Sequence, residues 1–208
     1  MSPKGKVKNT SEKKGQMARE KHHWDQILSD SRIIAAVREP ERLRSALECP
    51  LKIVYLACGN PMNIAAMLES ICAQGKLPLV NVDLLQGFSR DAHALEYLSS
   101  CGTAGIISTH HETLRAARAQ ELITVLRTFA IDSSAVEASL RLLAHFEPDA
   151  IEVLPAIAAP LLLNRIREAH PALYVIAGGL VNNLKQVEEL VTAGIDAVSL
   201  SNPQLWVV

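Results

Sequence analysis

Aromatic side chains are scarce in this chain: Phe, Trp and Tyr make up only 4% of its 208 residues, although 49% are hydrophobic. The apolar mass is therefore mostly Ala, Leu, Ile and Val, a composition that suits buried parallel strands covered by Ala-rich helices. The four cysteines, Cys49, Cys58, Cys72 and Cys101, form no CxxC and fit no zinc spacing. They read as reduced, mostly buried thiols in a reducing cytosol. No stretch approaches the ~18 apolar residues a membrane helix needs, and residues 1–26 are polar throughout, with no secretory h-region. The expectation is a cytoplasmic protein with no membrane partner. No His or carboxylate set has ligand spacing, so no metal and no cofactor are expected; His110-His111 reads as a solvated helix start.

Net positive charge is confined to one end of the chain. Residues 1–21 hold seven Lys or Arg against two Glu, a net of +5, so the remainder of this net −1 chain carries −6. Residues 1–16 are poor in apolar side chains and are expected to form a basic disordered leader. Such a block acts either as a solvated tail or as an attractor of nucleic acid. Residues 17–208 are expected to form a single domain, opened by a short helix over 17–30.

From residue 33 one pattern repeats: a short apolar run, a polar turn, an amphipathic stretch. The runs are Ile33–Val37, Ile53–Ala57, Leu79–Leu84, Gly105–Ser108, Ile123–Arg127, Ala150–Val153, Tyr174–Ala177 and Ala197–Leu200, which makes eight candidate strands. Ile64, Met67, Leu68 and Ile71 have helical spacing, as do Leu184, Val187 and Val191. Asn60-Pro61 and Asp132-Ser133 are helix openers, and Gly75, Gly102 and Gly194 helix closers. Eight βα repeats with right-handed crossovers predict an α/β fold, a compact (β/α)8 TIM-type barrel, over the rival open doubly wound sheet. The last run is followed closely by Val208, so the final helix is expected to be truncated.

In such barrels the C-terminal strand ends build the site. Here they carry Arg38, Asp83, Ser108-Thr109, Arg127 with Asp132, Glu152, Gly178-Gly179, and Ser199, Ser201 and Asn202. The loops after strands seven and eight commonly bind phosphate, so Gly178, Gly179, Ser199, Ser201 and Asn202 are expected to hold the phosphate of a small metabolite. Arg38, Asp83, Ser108, Thr109, Arg127, Asp132 and Glu152 are the remaining rim. They would pair with one another, hold polyol hydroxyls, or act as acid and base. Beyond residue 21 the chain has only Lys52, Lys76 and Lys185, none placed to reach the mouth as a Schiff-base amine.

These segments, in order, resemble the glycerol uptake operon antiterminator regulatory proteins. They are Ile34-Ala35-Ala36-Val37-Arg38, the run from Val80 to Gly87, Gly105-Ile106-Ile107-Ser108-Thr109, Arg127-Thr128-Phe129 with Asp132, the run from Pro148 to Pro155, Ala177-Gly178-Gly179-Leu180, and Ser199-Leu200-Ser201-Asn202 leading to Leu205-Trp206. Asn81 and Ala156 depart from the His and Gly typical there. The resemblance implies a regulator and not an enzyme, with glycerol 3-phosphate as effector. It further implies that the leader mRNA of a glycerol-uptake operon is the partner on which the protein acts to promote antitermination. The bare barrel suggests an alternative, a phosphosugar enzyme of isomerase, epimerase or aldolase type, and fold alone does not decide. No RNP-like aromatic motif or arginine-rich helix marks an RNA surface. A local patch, the basic leader and a surface assembled on homo-oligomerisation are the candidates.

Overall fold

Alternation along each apolar run sorts its side chains to two faces, and pairing the runs closes those faces into an inside and an outside. The computed structural model describes residues 24–28 and 30–207. Strands β1 (Ile33–Val37), β2 (Ile53–Leu56), β3 (Leu77–Asn81), β4 (Gly105–Ser108), β5 (Ile123–Phe129), β6 (Ala150–Leu154), β7 (Tyr174–Gly178) and β8 (Ala197–Leu200) pair in sequence order. All the pairings are parallel, and β8 returns to β1 through Ile34↔Ser199, closing the barrel. Helices α1 (Leu43–Glu48), α2 (Ile64–Ala73), α3 (Ala92–Ser100), α4 (His111–Ala119), α5 (Ser133–His145), α6 (Ala159–Ala169) and α7 (Leu184–Thr192) fill the crossovers. After β8 the chain makes a single 3-10 turn, Pro203–Leu205, as the last described element.

One core cluster lies inside the barrel: Ile34, Ile53, Tyr55, Leu77, Leu79, Ile107, Ile123, Val125, Ala150, Ile176 and Ala197. The intervening strand residues, such as Val54, Ile151, Val153 and Val198, point outward into a second cluster shared with the helices. Ile151 and Val153 therefore face away from Glu152, as the strand period requires. Residues 24–28 are helical and bring Trp24, Ile27 and Leu28 into the inner cluster. Trp24 meets Tyr174, the first residue of β7, edge to face at 6.4 Å, so this segment packs at the N-terminal end of the barrel. The expected leader over 1–16 and the start of the helix expected over 17–30 lie outside the described residues.

Apart from one- or two-residue differences at the ends of β2, β5, β6 and β7, local structure departs from the sequence reading at three places. Strand β3 starts at Leu77 and ends at Asn81, because the Asn81 side chain accepts the Asp83 N–H and bends Val82–Leu84 into a 3-10 turn. The helix after β2 starts at Ile64 rather than at Pro61. Asn60 uses its side chain on the Met62 N–H, and Asn63 answers on the Asn60 N–H. Of the cysteines only Cys58 is buried, and Cys72 is exposed. Asp132 opens α5 by accepting the Ala135 N–H, and Gly75, Gly102 and Gly194 close helices at positive φ. Among the described residues no helix is long and apolar enough to cross a membrane.

Candidate ligand site at the barrel mouth

The inward row changes chemistry at its top. Above the apolar layers, the inward positions of β3, β5, β6 and β8 are Asn81, Arg127, Glu152 and Ser199. Glu152 is 1% exposed. Arg127 Nε donates to its Oε2 at 2.6 Å, and Ser199 Oγ donates to its Oε1 at 2.6 Å. A charge this deep is tolerated because both carboxylate oxygens are engaged. Gly178 stands beside the pair. A Cβ there would lie 2.6 Å from Ser199 Oγ and 2.9 Å from Glu152 Oε1, so the residue is glycine for room.

Tyr55 reaches the same layer from β2 and is fully buried. Its phenol pKa is pushed well above the usual value, first by burial and then by the Glu152 carboxylate, with Arg127 opposing. Tyr55 Oη and Asn81 Nδ2 are both buried without a hydrogen-bond partner among the described residues.

A second group of expected rim residues binds itself together. Asp83 accepts Ser108 Oγ at 2.9 Å, the Thr109 N–H at 2.7 Å and Thr109 Oγ1 at 3.0 Å, and it pairs with Arg90 at 3.6 Å. Ser108 Oγ also accepts the His110 N–H. Asp83, Ser108 and Thr109 thus clasp the loop after β3 to the loop after β4. Asp132 caps α5 and shares no hydrogen bond with either group among the described residues.

The third group is open to solvent. Arg38 follows β1 and lines a hollow of about 340 Å³ together with Glu39, Arg42 and Ser201. It also lines a second hollow, of about 230 Å³, over the ends of β1, β2 and β3 with Ala57, Cys58, Asn60 and Gln86. Arg38 has no ion pair or hydrogen bond among the described residues, whereas Arg42 pairs with Glu39 at 3.5 Å. The backbone N–H groups of Gly179, Leu180, Ser201 and Asn202 likewise donate to no group there. Gly179 and Leu180 have φ of +79° and +61°, and Asn202 caps the final 3-10 turn through the Gln204 N–H. Burial and the nearby Glu41 and Glu39 carboxylates push the Cys58 thiol up to about 11, so it stays protonated beside this hollow.

The structure therefore divides the expected residues. Arg127, Glu152, Ser199 and Gly178 form the floor, Asp83, Ser108 and Thr109 a clasp, and Arg38, Gly179, Ser201 and Asn202 the open mouth. The volume lies toward β8, β1 and β2 more than between β7 and β8. The sequence reading placed neither Arg42 nor Tyr55 in the site, and it singled out Asn81 only as a departure from the family pattern. Tyr55 carried a signal in its inward parity, while Arg42, one turn past Arg38, carried none. Among the described residues no group of three or more His, Cys, Asp or Glu could hold a metal. Lys76, at the start of β3, donates to the Cys49 and Leu51 carbonyls and lies far from the mouth.

The chain is similar to known proteins over most of its length. Residues 33–206 match the family described as "Glycerol-3-phosphate responsive antiterminator". The protein YgcP of Escherichia coli (strain K12) is 31% identical over 184 residues, covering 86% of this chain and 94% of that protein. The crystal structure of a glycerol uptake operon antiterminator regulatory protein from Listeria monocytogenes superposes with a TM-score of 0.78 at 31% identity, over 84% of this chain and 94% of that one. An antiterminator-related protein from Thermotoga maritima gives 0.76 at 28% identity, over 85% and 98%.

Proposed function

The chain belongs to the glycerol-3-phosphate responsive antiterminator family, and on that premise we propose that it is a cytoplasmic regulator, not an enzyme, whose barrel mouth binds glycerol 3-phosphate. In that state it acts on the leader mRNA of a glycerol-uptake operon to promote transcription antitermination.

The observation that carries the ligand reading is the unpaired Arg38, which lines one hollow with Glu39, Arg42 and Ser201, together with loops after β7 and β8 whose N–H groups have no partner among the described residues. A phosphate dianion answers both features, since it offers charge to the guanidinium and acceptor oxygens to the amides. The enzyme alternative receives less support. Lys76 is committed at the far end of the barrel, and Lys185 pairs with Glu189 on α7.

Titration calorimetry on the full chain tests the ligand. Glycerol 3-phosphate is expected to bind and glycerol to bind far more weakly, with Arg38→Ala abolishing the difference. Equal binding of the two compounds would remove the phosphate argument. For RNA, gel shifts compare the full chain with one lacking residues 1–21, using leader and scrambled RNA with and without ligand. Loss of the basic segment should weaken binding overall and in a salt-dependent way, because phosphate contacts release counterions. Preference for the leader should survive. A protein that never distinguishes leader from scrambled RNA would defeat the antiterminator reading.

A further inference from the structure

We propose that Tyr55 and Asn81 form the hydroxyl-recognising inner wall of this ligand site, so that the barrel distinguishes a polyol phosphate from a simple alkyl phosphate. The inference rests on the reading above, in which a phosphate is held at Arg38 and Ser201.

Two polar atoms buried in one layer without partners are costly, and native folds seldom keep them without a role. Tyr55 Oη and Asn81 Nδ2 are such atoms. Their chemistry is defined. Asn81 Oδ1 is occupied by the Asp83 N–H at 3.1 Å, which orients Nδ2 as a free donor. Tyr55 Oη both donates and accepts, and it lies within electrostatic reach of Glu152 and Arg127. The Glu152 oxygens each accept one hydrogen bond, from Arg127 and Ser199, and each has acceptor capacity left. This layer thus offers a donor, a donor-acceptor and a carboxylate, a set that complements vicinal hydroxyl groups.

Its position fits as well. Tyr55 pairs with Leu79 on β3, two residues before Asn81, so the two polar residues sit on neighbouring strands. Ala57, two residues above Tyr55 on the same strand face, lines the hollow of about 230 Å³ that shares Arg38 with the phosphate hollow. A ligand anchored at Arg38 and Ser201 extends across that hollow toward β2 and β3. Neither orphan atom is open to solvent, so engagement requires a local shift of what covers them. Binding of the hydroxyl end is thereby coupled to a movement at the floor of the mouth.

The test measures the full chain by calorimetry with glycerol 3-phosphate and with n-propyl phosphate, which keeps the phosphate and three carbons but lacks hydroxyls. The wild type should prefer glycerol 3-phosphate roughly tenfold or more, the worth of a buried hydrogen bond. Tyr55→Phe, which removes no hydrogen bond among the described residues, should bring that ratio toward one. It should leave propyl phosphate affinity within about twofold and the melting temperature no lower. Asn81→Ala should do the same to the ratio, with some loss of stability because the Asp83 N–H loses its acceptor. Unchanged discrimination in both variants, or an equal loss for both compounds, would overturn the assignment of these residues. A wild type that binds the two compounds equally overturns hydroxyl recognition while leaving the phosphate site standing. A wild type that binds neither overturns both readings.

Discussion

The lower and upper layers of the barrel interior come from the same strands yet are built by opposite chemistry. Below, Ile34, Ile53, Leu77, Ile123, Val125 and Ala197 make an apolar core that Trp24 seals from the N-terminal end. Above, Asn81, Arg127, Glu152 and Ser199 place a charge pair and two hydrogen-bonding side chains in the same inward row. The lower layer is held by shape and volume, with Trp24 Nε1 its one buried donor lacking a partner among the described residues, and it holds the fold. The upper layer is tolerated only through specific partners, and two of its polar atoms lack them. Stability and recognition are therefore separated along the barrel axis, which gives mutations at the two ends different signatures.

The largest effect is expected at the bottom. Trp24 is fully buried against Tyr174. Trp24→Ala should cost about 3–5 kcal/mol in urea unfolding, the usual range for truncating a buried Trp. Glycerol 3-phosphate affinity should stay within about twofold under conditions where the variant is folded, since a ligand reports only on the native state it binds. A large loss of affinity in folded protein would show that the two layers are not independent.

Next comes the upper layer. Gly178→Ala puts a methyl between Ser199 and Glu152, at distances where something must shift. The expected cost is about 1–3 kcal/mol, typical of overpacking a buried site. Unlike Trp24→Ala it should also reduce ligand affinity, by disturbing the carboxylate beneath the mouth. If stability falls and affinity does not, the Glu152–Ser199 pair is a structural strut and takes no part in binding.

The lower layer was legible in the sequence because it is periodic. Eight apolar runs with glycines at positive φ after helices, such as Gly75 and Gly194, were enough to specify the barrel and its strand order. The misread end of β3 and the misread start of α2 share one cause, local side-chain hydrogen bonds that periodicity does not encode. Val82-Asp83-Leu84 continues the apolar run, but the Asn81 side chain turns it into a 3-10 turn. Pro78 looks like a strand breaker and lies inside β3, paired with Val54. The site was legible as a set of strand-end positions and not as a set of roles. Glu152 and Ser199 are 47 positions apart in the chain, and whether a hydroxyl at the rim is free or already bonded depends on such distant partners. Asp83, Ser108 and Thr109 look like ligand groups one by one and turn out to be bonded to one another. Tyr55 looks like one more apolar core residue until its buried hydroxyl is found without a partner.

The smallest expected effect settles the role of Asp132, a rim residue by its position after β5. Asp132 Oδ1 accepts the Ala135 N–H at 2.8 Å, the geometry of an N-cap, and the residue is exposed. The first amides of a helix have no partner within it, so a capping carboxylate both satisfies one donor and sits favourably at the positive end of the helix dipole. Asp132→Ala should cost about 1 kcal/mol by loss of that cap, and Asp132→Ser should recover most of it because a serine hydroxyl caps equally well. If capping is its whole role, glycerol 3-phosphate affinity will be unchanged in both variants. If Asp132 also holds a ligand hydroxyl, affinity will fall in both while stability returns in the serine variant. That split would extend the recognition surface from β2 and β3 round to β5, and the polar layer would have to be redrawn as a ring rather than an arc.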